Sequence, residues 1–338
     1  MIAGIFLLLA AAIPGQPIQQ SPPAESAQKL PIGPAQSVSS RGTATDITVP
    51  FEYFKRHIYI RVSVDGTPGL LFMLDSGANK NILNLRTARQ LGMHPEKIAR
   101  ESNVGFAAGR ISVGGVKTVR ARIDSTDIAD DMTVMDLTPF ERRFGHATDG
   151  MLGSPFLKRF TARVDFQKKL LTLFPADRYA YHGSGESVRI SGRSSSIVIP
   201  VILSGSEYDS HPAQMEVDTG SNATLSVYRH CVHRLHLEQS ILQARLGLGY
   251  GVNGDFSNTQ GAIDSLGIGR VETYNLPVDY FEPAEPIHPK CEVAGSMGNG
   301  VLQSFKAVIF DVPHDRIIFE MNTHPLQLGA MQNENLGR

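Results

Sequence analysis

The tripeptide Asp75-Ser76-Gly77 returns as Asp218-Thr219-Gly220, and each copy closes an apolar run: Leu70-Leu71-Phe72-Met73-Leu74 in one case, Met215-Glu216-Val217 in the other. A single such triplet is a common turn signature in which the Asp side chain caps its own backbone. Two within a wider repeat constrain the fold far more. The aspartates are 218 − 75 = 143 residues apart, Gly105-Phe106 and Gly249-Tyr250 are 250 − 106 = 144 apart, and Ile123-Asp124-Ser125 and Ile263-Asp264-Ser265 are 263 − 123 = 140 apart. Gly153-x3-Leu157-x2-Phe160 matches Gly298-x3-Leu302-x2-Phe305 at 298 − 153 = 145, and Val164-Asp165-Phe166 answers Phe310-Asp311-Val312 at 311 − 165 = 146. Five landmarks in one order at nearly one offset mark a duplicated structural unit with small insertions.

The text around these landmarks is that of strands. Ile58, Ile60, Val62 and Val64 alternate with Tyr59, Arg61 and Ser63 before the turn signal Asp65-Gly66. The near-continuous apolarity of Leu70 to Leu74 predicts a strand buried on both faces, so that Asp75 stands where a core strand ends and a glycine-permitted turn begins. Leu85 to Leu91 has helical spacing and stops at Gly92. Phe160 to Phe174 and Lys306 to Glu320 read as hairpins around Gln167-Lys168-Lys169 and Pro313-His314-Asp315. Ile197 to Leu203 reads as a strand in which Pro200 requires an edge or a bulge. Short strands, frequent turn signals and few helices predict an all-β chain of two homologous, β-barrel-like lobes.

Met1 to Ile13 is apolar but too short to span a bilayer, and it has the character of a secretory signal core. The expected organisation is a signal peptide or uncleaved N-terminal anchor over 1–14, a flexible Pro/Gln/Ser-rich linker over 15–45, lobes over 46–185 and 186–325, and a polar tail over 326–338. Export to a periplasmic or extracellular location follows, with membrane contact only through the N-terminal segment. A formal net charge of −1 and the lack of a long basic run argue against nucleic acid as the partner.

The Asp-Ser/Thr-Gly triplet after an apolar strand is followed in each half by an apolar-apolar-Gly segment. These are Met151-Leu152-Gly153, at 153 − 75 = 78, and Ser296-Met297-Gly298, at 298 − 218 = 80. The combination resembles the pepsin and retropepsin clan of aspartic proteases, and in style the retroviral-type proteases of bacterial genomes. The resemblance runs from about Phe51 to Glu320. It implies two similar β-barrel-like lobes about a six-stranded dyad, with a cleft between them. Retroviral members build the cleft from two chains; here both halves lie in one, so a monomer with pseudo-two-fold symmetry is expected. Ser296 departs from the pattern, standing where a larger apolar residue is usual.

Electrostatics gives the chemistry independently. Two carboxylates about 3 Å apart cannot both ionise readily, so Asp75 and Asp218 would share one proton over a wide pH range. The ionised partner can take a proton from water while the other donates to a scissile carbonyl. Such a site hydrolyses a peptide or protein without metal or cofactor. Ser76 and Thr219 would tie the two turns together through their hydroxyls, and Gly77 and Gly220 would let the backbone approach the carboxylates. The sequence does not assign the proton to either aspartate.

Other residues leave alternatives open. Phe106 and Tyr250 lie 106 − 75 = 31 and 250 − 218 = 32 residues after their aspartates, either at the tips of mobile hairpins that close over substrate or in ordinary exposed turns. Cys231 and Cys291 form one disulfide in an exported protein, or remain two thiols. His230, His233 and His236 invite a zinc reading, but their spacing drifts round a helix, and a solvated helical face is the better account. The rival to a peptidase is a catalytically silent two-lobed protein that holds a peptide or cell-envelope polymer in its cleft.

Overall fold

A computed structural model describes residues 46–101, 109–191, 196–206, 209–242, 245–283 and 288–322. The expectations for 1–14, 15–45, 326–338 and Phe106 fall outside these residues.

The two predicted hairpins form, as Phe160–Asp165 with Leu170–Pro175 and Ala307–Asp311 with Arg316–Glu320, and they are joined edge to edge. Strand Phe160–Asp165 pairs antiparallel with Ala307–Asp311, placing Ala162 opposite Phe310 and Val164 opposite Val308. Ile47–Phe54 adds to the outside of the first hairpin and Glu186–Arg189 to the outside of the second. The result is six antiparallel strands, three from each half, symmetric about the central pair. Both landmark aspartates of the repeat are buried at this seam. Asp165 is paired with Arg163, whose other guanidinium nitrogen reaches Glu320 at 2.7 Å, and Asp311 takes Thr161 Oγ1 at 2.7 Å and Arg316 Nε at 2.6 Å.

Each half then closes its own barrel by the same route. In the second half the ring runs Val198–Ser206, Asp209–Val217, Gly295–Met297, Leu225–Tyr228, Val271–Phe281, Gly254–Ile268 and back to Val198–Ser206. In the first half it runs His57–Val64, Thr67–Leu74, Gly150–Leu152, Ile82–Asn84, Asp130–Met135 and Ile111–Val119, and is closed by Ala121–Ile123 against His57–Val64. Pro200 is exposed and pairs only with Gln214, since contact with Gly254–Ile268 begins at Ile202; the missing N–H falls on an open edge.

Alternation along the strands separates two apolar faces. Phe72 and Leu74, with Met215 and Val217, point into the principal core. Met73 points the other way, into a second cluster with Tyr59, Ile82, Phe140, Phe144 and Met151. The aspartate-bearing strand is therefore buried on both faces, as its apolar sequence requires. The helix over Leu85–Gln90 is capped by Asn84, whose side chain accepts from the Arg86 N–H at 3.1 Å.

Cys231 and Cys291 are joined by a disulfide that closes a sequence separation of 60 residues at a Cα–Cα distance of 5.5 Å. On the chain-entropy account, replacing both by Ser lowers the unfolding free energy by about 4 kcal/mol. Urea unfolding of the double variant, compared with the oxidised and reduced parent, measures this.

Candidate active site

Each aspartate is fixed by a short parallel pairing. Gly150–Leu152 lies alongside Phe72–Leu74, and Gly295–Met297 alongside Met215–Val217, in the same register. The Asp75 N–H donates to Leu152 O and the Asp218 N–H to Met297 O, both at 2.9 Å. The chain then turns. Ser154 N–H returns to Ala78 O at 2.7 Å, and Asn299 N–H to Ser221 O at 2.8 Å. The apolar-apolar-Gly segments are thus the partners that hold the aspartates, and Gly153 and Gly298 open the short helices Ser154–Leu157 and Asn299–Leu302.

The two turns are bolted to each other. Ser76 N–H donates to Thr219 Oγ1 and Thr219 N–H to Ser76 Oγ, both at 2.9 Å. Each hydroxyl passes its own proton on across the interface, Ser76 Oγ to Val217 O at 2.6 Å and Thr219 Oγ1 to Leu74 O at 2.8 Å. Four hydrogen bonds, all buried, repeat one pattern twice. The glycines permit the approach: a Cβ on Gly220 would lie 2.3 Å from Asp75 Oδ1, and one on Gly77 would lie 2.7 Å from Asp218 Oδ1. Each carboxyl therefore sits against the turn of the other half.

Both carboxyls are fully buried. Asp75 Oδ1 accepts the Ala78 N–H at 3.0 Å, and Asp218 Oδ1 accepts the Gly220 N–H at 2.9 Å. Burial raises Asp75 to about 7, against the lowering effect of the Ala78 N–H and of the Asp218 side chain. Burial drives Asp218 well above the ordinary carboxylate range, and Asp75 and Glu216 push it further. Both carboxyls are thus held above the ordinary carboxylate range, and burial is the largest cause at each.

Further residues complete the surroundings. Asn299 Nδ2 donates to both Arg56 O and Thr219 O at 2.6 Å, tying the turn at 55–56 to the second aspartate's loop. Arg56 Nη1 reaches Asn222 O at 3.4 Å. His57 is fully buried, 4.9 Å from the Phe144 ring and 6.0 Å from Phe140, and burial lowers it to about 4, so it is neutral. Glu216, two residues before Asp218, is buried, and burial raises it to about 8 against a hydrogen bond from Ser196, with Asp75 adding to the rise.

Tyr250 is no exposed turn residue. It stands near the tip of a hairpin formed by Arg245–Gly251 and Gly254–Ile268, and the tip crosses to the first half. Tyr250 packs edge-on against Phe144 at 6.0 Å with the Arg143 guanidinium over its ring, Val252 joins the Met73 cluster, and Asn253 Nδ2 donates to Gly109 O at 3.3 Å. The histidines do not share a helical face either. Arg229–Cys231 is a single 3₁₀ turn, and the rings diverge: His230 to Glu282 at 2.8 Å, His233 to Glu238 at 2.7 Å, and His236 to Asp209 at 3.5 Å. His236 stacks instead on His211, and with Asp209 these offer three metal-ligand atoms within 4.8 Å of one another. They lie at the far end of the strand that ends at Val217, about 25 Å of extended chain from Asp218.

Sequence reasoning passed over Glu216, His57 and Asn299. A signal for Glu216 was present: a charged residue inside an otherwise apolar run, aligned by the repeat with Met73 at 216 − 73 = 143. His57 and Asn299 carried none, because their partners are distant in sequence.

Residues 60–156 match the model of a family described as aspartyl protease. The match covers less than half of the chain, holds Asp75 and its supporting segment, and supports an aspartic protease family for the first half. No curated protein matches the chain.

Two outcomes follow from this geometry. Ser76→Ala leaves the buried Thr219 N–H without its acceptor and Val217 O without its donor, and it lowers stability by about 1–3 kcal/mol; Thr219→Ala has the mirror effect, and urea denaturation measures both. Asp75 and Glu216 have folded-state values raised above the unfolded ones, so the folded chain binds more protons between them, and stability falls as pH rises from about 4 through about 8. Denaturation at a series of pH values should show this decline, and Asp75→Asn should flatten it.

Proposed function

We propose that the protein is an aspartic endopeptidase in which Asp75 and Asp218 form a proton-sharing dyad. The observation that carries this reading is the reciprocal placement of two fully buried carboxyls, each against the other half's Ser/Thr-Gly turn. The ionised member of the pair takes a proton from water as the water oxygen attacks the scissile carbonyl carbon. The protonated member gives its proton to the carbonyl oxygen. The resulting tetrahedral species collapses when the proton taken from water passes to the leaving nitrogen and the carbonyl re-forms by returning the other proton to its carboxylate, so the peptide bond breaks with the addition of one water. Low dielectric and fixed N–H donors from Ala78 and Gly220 hold the charges in place through the cycle.

The hairpin carrying Tyr250 acts as the lid. Its tip rests on the first half, and an extended peptide enters when that contact opens. Both halves of the site belong to one chain, so the monomer is sufficient. The apolar stretch over Met1 to Ile13 supports export, and the proposed substrates are peptides or proteins.

Asp75→Asn and Asp218→Asn each lower peptide hydrolysis by about a thousandfold or more while leaving the fold intact. The profile of kcat/KM against pH is bell-shaped. Its acid limb lies above the ordinary carboxylate range because burial raises both carboxyls, and its alkaline limb reports loss of the shared proton. Chelators leave the rate unchanged. The test is cleavage of a peptide library by the chain from Asp46 onward, analysed by mass spectrometry, and full activity in either Asn variant would overturn the dyad.

A further inference from the structure

The strand register aligns the aspartate-side faces of the two halves residue by residue. In the first half Met73 lies beside Met151, Met151 beside Ile82, and Ile82 beside Thr133. In the second half Glu216 lies beside Ser296, Ser296 beside Ser226, and Ser226 beside Asp279. The rows correspond through the repeat, at 216 − 73 = 143, 296 − 151 = 145, 226 − 82 = 144 and 279 − 133 = 146. Directly paired residues share a face, so each row is one continuous strip beside its aspartate. The strip is apolar in the first half except for Thr133 at its far end, and acidic and hydroxylated throughout in the second. On the opposite face the halves stay alike, Phe72 and Leu74 matching Met215 and Val217 in the common core. Among these positions the divergence lies on the face that carries the aspartates.

The second strip is also chemically unfinished. Glu216 is 2% exposed and Ser226 3%, yet Glu216 Oε1 and Ser226 Oγ have no hydrogen-bond partner. Among the described residues no Lys, Arg or His pairs with Glu216, and its other charged influence is Asp75, which opposes ionisation. Buried oxygens left unpaired cost about 1–3 kcal/mol each, a cost that a bound donor would relieve. An apolar side chain would leave them unpaired, and an acidic one would face like charges. A basic side chain brings several N–H donors and the opposite charge.

We infer that the second half presents a subsite for a lysine or arginine side chain beside the scissile bond, with Glu216 as its specificity-determining residue and Ser226 as an added acceptor, while the first half takes a large apolar side chain against Met73, Met151 and Tyr59. This deepens the peptidase reading and rests on it. The favoured bond joins an apolar residue to a basic one. Ser296, the departure from the apolar-apolar-Gly pattern, belongs to the same change, because it is the neighbour of Glu216 and replaces the methionine that neighbours Met73.

The test compares the full chain with its Glu216→Gln and Glu216→Met variants on a peptide library read by mass spectrometry, with circular dichroism to establish that the variants fold. The expected result is cleavage between an apolar and a basic residue by the parent, and a fall of about 10–100-fold in the kcat/KM ratio of basic to apolar peptides in both variants. No basic preference in the parent, or a preference that survives both substitutions, overturns the inference. Binding of an uncleavable reduced-amide peptide, carrying lysine or norleucine at that position, separates the two readings. If no peptide is cleaved but the lysine form binds at least about tenfold tighter in the parent and not in Glu216→Met, the subsite stands and the peptidase reading falls. Equal binding of the two forms, or no binding of either, removes the subsite.

Discussion

The reciprocal hydrogen bonds between Ser76 and Thr219 are the contact on which the rest of the centre depends. Each hydroxyl is both acceptor and donor across the boundary between the halves, and each is buried, so loss of one leaves two backbone groups without partners where water cannot replace them. A single-sided bond would let the turns slide. The doubled, symmetric set fixes their relative position, and the glycines that follow then bring each backbone to within contact of the opposite carboxyl. The six-stranded sheet joins the halves a second time, where their hairpins pair directly.

Symmetry in the scaffold coexists with asymmetry in the field. The backbone bonds at Asp75 and Asp218 are near copies, yet Glu216 stands beside one aspartate and Met73 holds the corresponding place near the other. A buried carboxyl next to a carboxyl makes a second charge costly, so Glu216 raises Asp218 beyond the effect of burial. One substitution in a duplicated strand thereby gives two closely similar turns different surroundings. The proposed division of the cleft into apolar and basic sides traces to this position.

The hairpin behind Tyr250 links the halves a third time. Its arms belong to the second barrel, but Tyr250 and Val252 are buried among first-half residues. This contact involves a hairpin tip, which is where a structure opens most readily. Access to carboxyls that are fully covered would go through it.

The sequence by itself determined the duplication, the all-β class, the two hairpins, the stops at the aspartates and the segments that support them. These are local signals: alternation, apolar runs, glycine turns, and their recurrence at one offset. Tertiary structure decided the rest. That the hairpins share one sheet, that Tyr250 lies under cover, that the histidines point to separate carboxylates, and that Asn299 braces a loop from the other half all follow from pairings between residues more than a hundred positions apart or from turns that propensity does not specify. The electrostatic surroundings of the aspartates are of this kind too. A pKa is set by burial and by neighbouring charge, and Glu216, one strand position away from an apolar core, acquires its influence only when the strands register it beside Ser296 and face it toward Asp75.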